Sequence, residues 1–265
     1  MDKITKKVAV GGIFVGGGES VKIQSMCTTK TSDVSSTVAQ ICALENAGCE
    51  IIRVSVLDEA DALAIKAIRS KIKIPLVADI HFSHRLAVAA IENGADKVRI
   101  NPGNIGGEAE IKLVADCIRA HKIPVRVGAN TGSIEKEFLQ KYGKNERSLV
   151  KSALKSVSLL EKHGVNDIVI SVKASDARLT VAAYRLLSQK TDYPLHIGVT
   201  EAGTEEMAVV KSSAALGALL LDGIGDTLRV SITDDPVKEV YAAKRLLRAV
   251  GLDKNFVNVI SCPTC

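Results

Sequence analysis

The chain has no tryptophan, and only 3% of its residues are aromatic. That excludes the aromatic platforms on which single-stranded nucleic acids stack. Six cysteines are scattered over 265 residues, too sparsely for a disulfide framework. Cys27, Cys42, Cys49 and Cys117 lie in apolar surroundings and are expected to be buried thiols. No long hydrophobic run exists either. The strongest, Ala214 to Leu221, falls far short of the ~20 residues needed to span a bilayer. Lys3, Lys6 and Lys7 before Val8–Val15 mimic a secretory leader, but glycines interrupt the run and no small-x-small cleavage site follows it. The expectation is therefore a soluble, cytoplasmic protein with no membrane or nucleic-acid partner. The net charge is +5, but the longest basic run is Lys6-Lys7, so the charge does not form a DNA-binding stripe. It suits basic residues gathered around a small anion.

Alternation of short β-branched runs with longer amphipathic stretches is what the chain does have. The predicted strands are Val21–Met26, Ile51–Val56, Leu76–Ile80, Lys97–Asn101, Val125–Gly128, Asp167–Lys173, Leu195–Thr200 and Thr227–Ile232. Each precedes a helical pattern. Ser32 or Asp33, Asp58 and Ser83 are N-cap candidates, and Gly48, Gly94, Gly164 and Gly251 stand where helices should stop. Eight such units predict an α/β fold, a (β/α)8 TIM barrel, in preference to an open doubly wound sheet. Val8–Val15 and the glycines after it predict a small N-terminal hairpin at the barrel's bottom. The expected divisions are 1–20 for the hairpin, 21–252 for a substrate-binding barrel, and 253–265 for the start of something further.

Polar residues at the C-terminal ends of barrel strands are costly unless they serve a site. Here nearly every strand carries them: Arg53 and Ser55; Asp79 and His81; Arg99 and Asn101; Arg126 and, past Gly128, Asn130; Ser171 and Lys173; His196 and Thr200; Arg229 and Ser231. The first strand offers Gln24. Arg53, Arg99, Arg126, Lys173 and Arg229 would point into one mouth, with Asp79 and Glu201 as the nearby acids. Such a surplus of cations in a partly dry cup is costly without a polyanion, and guanidinium forks bind phosphate bidentately. The expected ligand is a diphosphate or a pair of phosphates. His81 and His84 have no further ligand cluster near them in sequence, so a polar ligand contact by His81 is expected rather than a metal. The turn-rich Asn101–Gly106 could offer amides to an anion. At the end of the chain Cys262 and Cys265 form C-x-x-C, which by itself fits a redox pair, a zinc site or an iron–sulfur cluster.

Several strings, in order along the chain, carry a resemblance: Val21-Lys22-Ile23-Gln24-Ser25-Met26, Ala78-Asp79-Ile80-His81, Val98–Gly106, Arg126-Val127-Gly128-Ala129-Asn130, Ser171–Ser175, Gly198–Gly203, Asp222–Ser231 and Ser261–Cys265. The chain resembles the 4-hydroxy-3-methylbut-2-en-1-yl diphosphate synthase family, the iron–sulfur enzymes of the non-mevalonate (MEP) route to isoprenoids. The resemblance implies an oxidoreductase that opens 2-C-methyl-D-erythritol 2,4-cyclodiphosphate and removes a hydroxyl with two electrons. It implies a [4Fe-4S] cluster fed by flavodoxin or ferredoxin and held by a C-terminal domain. It also implies a homodimer in which one chain's cluster domain closes over the partner's barrel. Carried over by residue, Arg53, Arg99, Arg126, Lys173, Arg229 and Ser231 match diphosphate-binding positions. Asp79, His81, Asn101, Asn130 and Thr200 match other substrate contacts, Glu201 the acid proposed to deliver protons, and Cys262 and Cys265 the first two cluster ligands. The family continues past this point to a third cysteine and a glutamate ligand, so this sequence is expected to be the barrel portion and inactive alone. Alternatives are a pterin-type transferase barrel, against which Cys262–Cys265 argues, and a non-catalytic phospholigand-binding domain.

Overall fold

A computed structural model describes residues 4–254, 256–257 and 261–262. The chain begins with an antiparallel hairpin of β1 (Val8–Val10) and β2 (Ile13–Val15). Its turn passes through Gly11 at φ 56°, a left-handed conformation that glycine adopts without strain. Eight parallel strands follow: β3 (Lys22–Met26), β4 (Ile51–Val56), β5 (Leu76–Ile80), β6 (Lys97–Ile100), β7 (Val125–Asn130), β8 (Ile168–Lys173), β9 (His196–Ile197) and β10 (Thr227–Leu228). They pair in the order β8-β7-β6-β5-β4-β3-β10-β9. A parallel bridge between Ile170 and Leu195 joins the two ends and closes the ring.

Each strand leads into a helix on the outside: α1 (Val34–Ala47), α2 (Glu59–Arg69), α3 (His84–Glu92), α4 (Glu108–His121), α6 (Glu146–Lys162), α7 (Ala177–Ser188), α8 (Glu205–Leu221) and α9 (Pro236–Ala249). The short α5 (Lys136–Tyr142) is an extra helix after β7 that the sequence pattern did not separate from its neighbour. Asp33, Asp58 and Ser83 cap α1, α2 and α3 by accepting from Ser36 N, Asp61 N and Leu86 N, so the first unsatisfied amides of these helices are covered. Gly48 ends α1 at φ 103°. Lys122 takes the same left-handed role for α4 at φ 53°, without glycine's freedom.

Alternate residues of each strand point outward and meet the helices. Val54, Val56, Ala78, Ile80, Val98 and Ile100 are fully or almost fully buried there. The inward residues change character from bottom to top. At the bottom Ile51, Val77 and Val169 pack against Val8, Val10 and Val15 of the hairpin. The hairpin therefore plugs the barrel, as expected from its sequence, and each fully buried valine contributes about 1.5 kcal/mol or more of apolar burial. Above this layer the interior is polar.

Two expectations need correction. β9 and β10 are two residues each, much shorter than Leu195–Thr200 and Thr227–Ile232. Beyond them single bonds, Arg229 N to Ile197 O and Thr200 N to Ala174 O, both 3.1 Å, continue the wall. Of the four upstream cysteines, Cys27 and Cys49 are buried, but Cys42 is exposed and Cys117 half-buried. Cys42 follows Ile41, whose place on the buried stripe of α1 (Thr37, Ile41, Leu44) turns the next residue about 100° away.

Candidate functional site: a basic cup at the barrel mouth

Register puts the site together. The ladder sets Ser55 beside Asp79, Asp79 beside Arg99, Arg99 beside Arg126, Gly128 beside Ser171, and Asn130 beside Lys173. Partners level across parallel strands share a face, so these residues all look into the barrel. All but Ser55 and Gly128 line an open cavity of about 490 Å³ at the C-terminal end, the end where barrel active sites are built. All eleven predicted substrate contacts line it: Arg53, Asp79, His81, Arg99, Asn101, Arg126, Asn130, Lys173, Thr200, Arg229 and Ser231. Asn104 and Ser133, from the loops after β6 and β7, join them. Glu201 does not. It sits exposed on the rim after Thr200, in the left-handed region at φ 52°.

The cations are held in three different ways. Asp79, buried at the centre, takes Arg99 Nη1 at 3.1 Å and Arg53 Nε at 3.4 Å on its two oxygens. Burial alone would raise its affinity for a proton, but Arg53, Arg99 and Arg126 prevail and hold the carboxyl at about 2. Arg53 also turns Nε and Nη2 onto the Met26 sulfur, at 3.1 and 2.7 Å, a weak acceptor that leaves most of the guanidinium's capacity unused. Arg229 is gripped by Glu239 of α9 through both carboxylate oxygens, at 2.9 and 2.7 Å. Ser25 Oγ and Ile232 N donate to the same carboxylate at 2.8 and 3.2 Å. Lys173 Nζ lies 3.2 Å from His196 Nε2, and His196 Nδ1 lies 2.8 Å from Thr227 Oγ1. When Lys173 is protonated it can only donate, so Nε2 then accepts and Nδ1 carries the ring proton toward Thr227. Burial, followed by the neighbouring cations, pushes Lys173 and His196 well below their ordinary values.

Two glycines give the basic side chains their space. A Cβ on Gly128 would stand 2.6 Å from Arg99 Nε, and one on Gly198 would stand 2.6 Å from Lys173 Nζ. Two asparagines shape the rim loops. Asn101 Oδ1 accepts from Gly103 N at 3.2 Å and caps a 3-10 turn over Pro102–Asn104. Asn130 Oδ1 accepts from Gly132 N at 2.9 Å. His81 Nε2 approaches Asp79 at 3.8 Å, whereas His84 simply opens α3.

Sequence reasoning missed three participants. Lys97 is a sixth inward cation, and its position two residues before Arg99 on one strand was the available signal. Glu239 is the carboxylate partner of Arg229. It lies on a helix, where strand parity says nothing. Met26 gave no signal at all. Cys262 is exposed, and Cys265 lies outside the described residues. Among the described residues no three His, Cys, Asp or Glu side chains gather as a metal site, and no helix is long and apolar enough to cross a membrane.

Fold and cup together define a (β/α)8 barrel with a predominantly basic cup at its C-terminal mouth. Residues 5–244 match the GcpE TIM-barrel domain. Relatives called 4-hydroxy-3-methylbut-2-en-1-yl diphosphate synthase (flavodoxin) align over the whole chain. The one from Caldanaerobacter subterraneus subsp. tengcongensis is 56% identical over 100% of this chain and 75% of its own length. The one from Caldicellulosiruptor saccharolyticus is 56% identical over 99% of this chain and 76% of its own. The chain therefore belongs to the 4-hydroxy-3-methylbut-2-en-1-yl diphosphate synthase family and spans about three quarters of these relatives' length. Among solved structures, dihydropteroate synthase from Stenotrophomonas maltophilia superposes with a TM-score of 0.67 at 14% identity, covering 94% of this chain and 100% of that one. At that identity the likeness shows the barrel fold alone.

Proposed function

We infer that this chain is the substrate-binding barrel of a 4-hydroxy-3-methylbut-2-en-1-yl diphosphate synthase, an oxidoreductase of isoprenoid biosynthesis acting on 2-C-methyl-D-erythritol 2,4-cyclodiphosphate. The observation that carries the reading is the cup: five cations, four on strands and Arg229 just beyond β10, around a central carboxylate, Asp79, in a chain whose relatives bear that name. In the overall reaction a ring C–O bond breaks, a hydroxyl leaves as water, and two electrons and two protons enter.

The residues divide the work by position. Arg53, Arg99, Arg126, Lys173, Arg229 and Ser231 hold the diphosphate. The charge surplus that is costly in the empty cup becomes attraction once the phosphates arrive. Asp79 keeps Arg53 and Arg99 aimed without neutralising the other three. His81, Asn101, Asn130 and Thr200 orient the carbon skeleton from the rim. Glu201 stands on a left-handed turn beside Thr200 and supplies a proton to the departing hydroxyl.

The cofactor is a [4Fe-4S] cluster, which supplies the electrons when bound, with flavodoxin as the donor named for the relatives. Cys262 and Cys265 are two of its ligands, at a spacing common in cluster sites. Cys27 and Cys49 are unsuited to the role, because burial pushes both thiols up to about 12. Residues 253–265 belong to the cluster-holding segment, and a homodimer brings that segment to a partner's barrel.

The test uses a form extended to the length of the relatives. Iron and sulfide near four per chain, with reductive turnover of the cyclodiphosphate, is the expected result. Arg126→Ala should then weaken substrate binding by about 2–4 kcal/mol, the worth of a charged partner in a dry site. Unchanged affinity in that variant would remove the cup from the reaction.

A further inference from the structure

Beneath the cup lies a second polar layer that the proposed chemistry leaves without a task. Lys97 of β6 and Gln24 of β3 both point into the barrel, between the mouth and the valine plug. Lys97 is 0% exposed and Gln24 1%. Among the described residues Lys97 Nζ and both amide atoms of Gln24 have no hydrogen-bond partner. Arg126, 1% exposed, leaves Nε and Nη1 without one as well. A buried ammonium is normally paired. Here the carboxylates are committed elsewhere, Asp79 to Arg53 and Arg99, and Glu239 to Arg229. Its level neighbour in the ladder is Val77, which packs against the valines of the hairpin.

The charged and titratable groups around Lys97 inside the barrel are Arg53 on β4, Asp79 on β5, Arg99 on its own strand, Arg126 on β7, Lys173 on β8, His196 on β9 and Arg229 beyond β10. Six positive charges can form there against Asp79 and the Glu239 of α9. In the empty barrel a proton on Lys97 has neither solvent nor a carboxylate to stabilise it, and Arg126 and Arg53 oppose it. Burial first, then those two guanidiniums, bring its amine down to about 7.

We propose that Lys97 is the internal proton acceptor of the barrel: its dry, unpartnered amine holds a proton only weakly while the mouth is empty and takes one up from solvent when a diphosphate occupies the cup. The inference rests on the diphosphate reading of the mouth. Its physical basis is distance. Lys97 stands two strand residues, ~7 Å, below Arg99, within reach of a multiply charged anion in a medium that screens poorly. The new ammonium would strengthen the field under the phosphates without touching them. Lys97 is thus a positioning residue, and a purely structural lysine would show no proton linkage.

The probe is inorganic pyrophosphate, titrated into this chain and into Lys97→Met, which keeps length and apolar stem. Calorimetry in buffers of different ionisation enthalpy counts the protons taken up. Pyrophosphate's own titration is common to both proteins and cancels in the difference. Wild type should take up roughly 0.5–1 proton more per ligand than the variant near pH 8. Its affinity advantage over the variant should shrink by roughly three- to tenfold between pH 7 and pH 8.5. Equal uptake and parallel pH profiles would overturn the proposal. No pyrophosphate binding by wild type would instead sink the diphosphate reading on which it rests. Should Lys97→Met fail to fold, wild type labelled at lysine Cε decides by NMR. Because Lys173 is also held low, the expected result is two depressed lysines when empty, one of them near 7 and persisting in Lys173→Met, and that one at least one unit higher with pyrophosphate in wild type. No depressed lysine left in empty Lys173→Met would end the idea.

Discussion

Glu239 on α9 grips Arg229 through both carboxylate oxygens, at 2.9 and 2.7 Å, across the barrel wall. The carboxylate is 2% exposed and the guanidinium side chain 15%, so the pair is screened by protein rather than water. The second helix-side bond, from Ser25 Oγ at 2.8 Å, ties the first barrel strand to the same carboxylate. One helix side chain thus sets the aim of a mouth arginine and joins two barrel elements where the ladder is shortest.

Glu239→Gln should therefore cost about 3 kcal/mol of stability, the usual penalty for leaving one partner of a buried pair alone. Urea unfolding measures it. A loss under about 0.5 kcal/mol would mean that the fork adds little beyond its hydrogen bonds. Pyrophosphate affinity should fall as well, because an unheld Arg229 loses its orientation.

Gly128→Ala and Gly198→Ala should differ in kind. The added methyl at 128 meets the flexible end of Arg99, 2.6 Å from Nε. Arg99 can yield, so the fold should hold to within about 1 kcal/mol while pyrophosphate binding drops about tenfold. At 198 the methyl meets Lys173 Nζ and also the Arg229 carbonyl at 2.9 Å. Backbone cannot yield as cheaply, and this variant should lose about 1–3 kcal/mol of stability. Thermal melts alongside calorimetric titrations separate the two cases, and similar stability in both would contradict the close-approach account.

Asp79 should shape the acid limb of stability. Its carboxyl is held at about 2 in the fold, against burial, by Arg53, Arg99 and Arg126, and at about 3.9 in the unfolded chain. The stabilisation it brings is complete above the unfolded value and disappears as pH falls through the folded one. About 2 kcal/mol should be lost between roughly pH 5 and pH 2. In Asp79→Asn the unfolding free energy should depend less steeply on pH over that window. An unchanged slope would assign the acid limb to other carboxylates.

Lys97 should act on stability in the opposite direction. Its amine titrates at about 7 in the fold and near 10.4 unfolded, so between these values the unfolded chain binds the extra proton and stability rises with pH. The cost of the buried lysine is greatest below pH 7 and fades toward pH 10. Lys97→Met should raise the melting temperature at pH 6.5, with the gain shrinking as pH approaches 10. A gain independent of pH would show that the amine is not neutralised on folding.

Much of this protein was legible in the sequence. The eightfold alternation of β-branched runs with capped amphipathic stretches left a barrel as the natural closure. On strands, parity alone sorted Arg53, Asp79, Arg99, Arg126 and Lys173 onto one face, and it held because parallel pairing keeps level residues on the same side. The plugging hairpin was also readable, from its valines and glycines. Other features were decided in three dimensions. That Glu239 holds Arg229 depends on how α9 lies against the first and last strands. That Met26 offers its sulfur to Arg53, and that Lys97 is left dry while Lys173 finds His196, depends on the stagger at which the ring closes. Exposure likewise put Cys42 on the surface and Cys49 in the core. The periodicity of a strand or helix tells which way a side chain points from its own backbone. Which group from a distant element meets it there is set by closure and packing of the whole ring, and long side chains such as those of arginine, lysine and glutamate reach past the range over which local periodicity carries information.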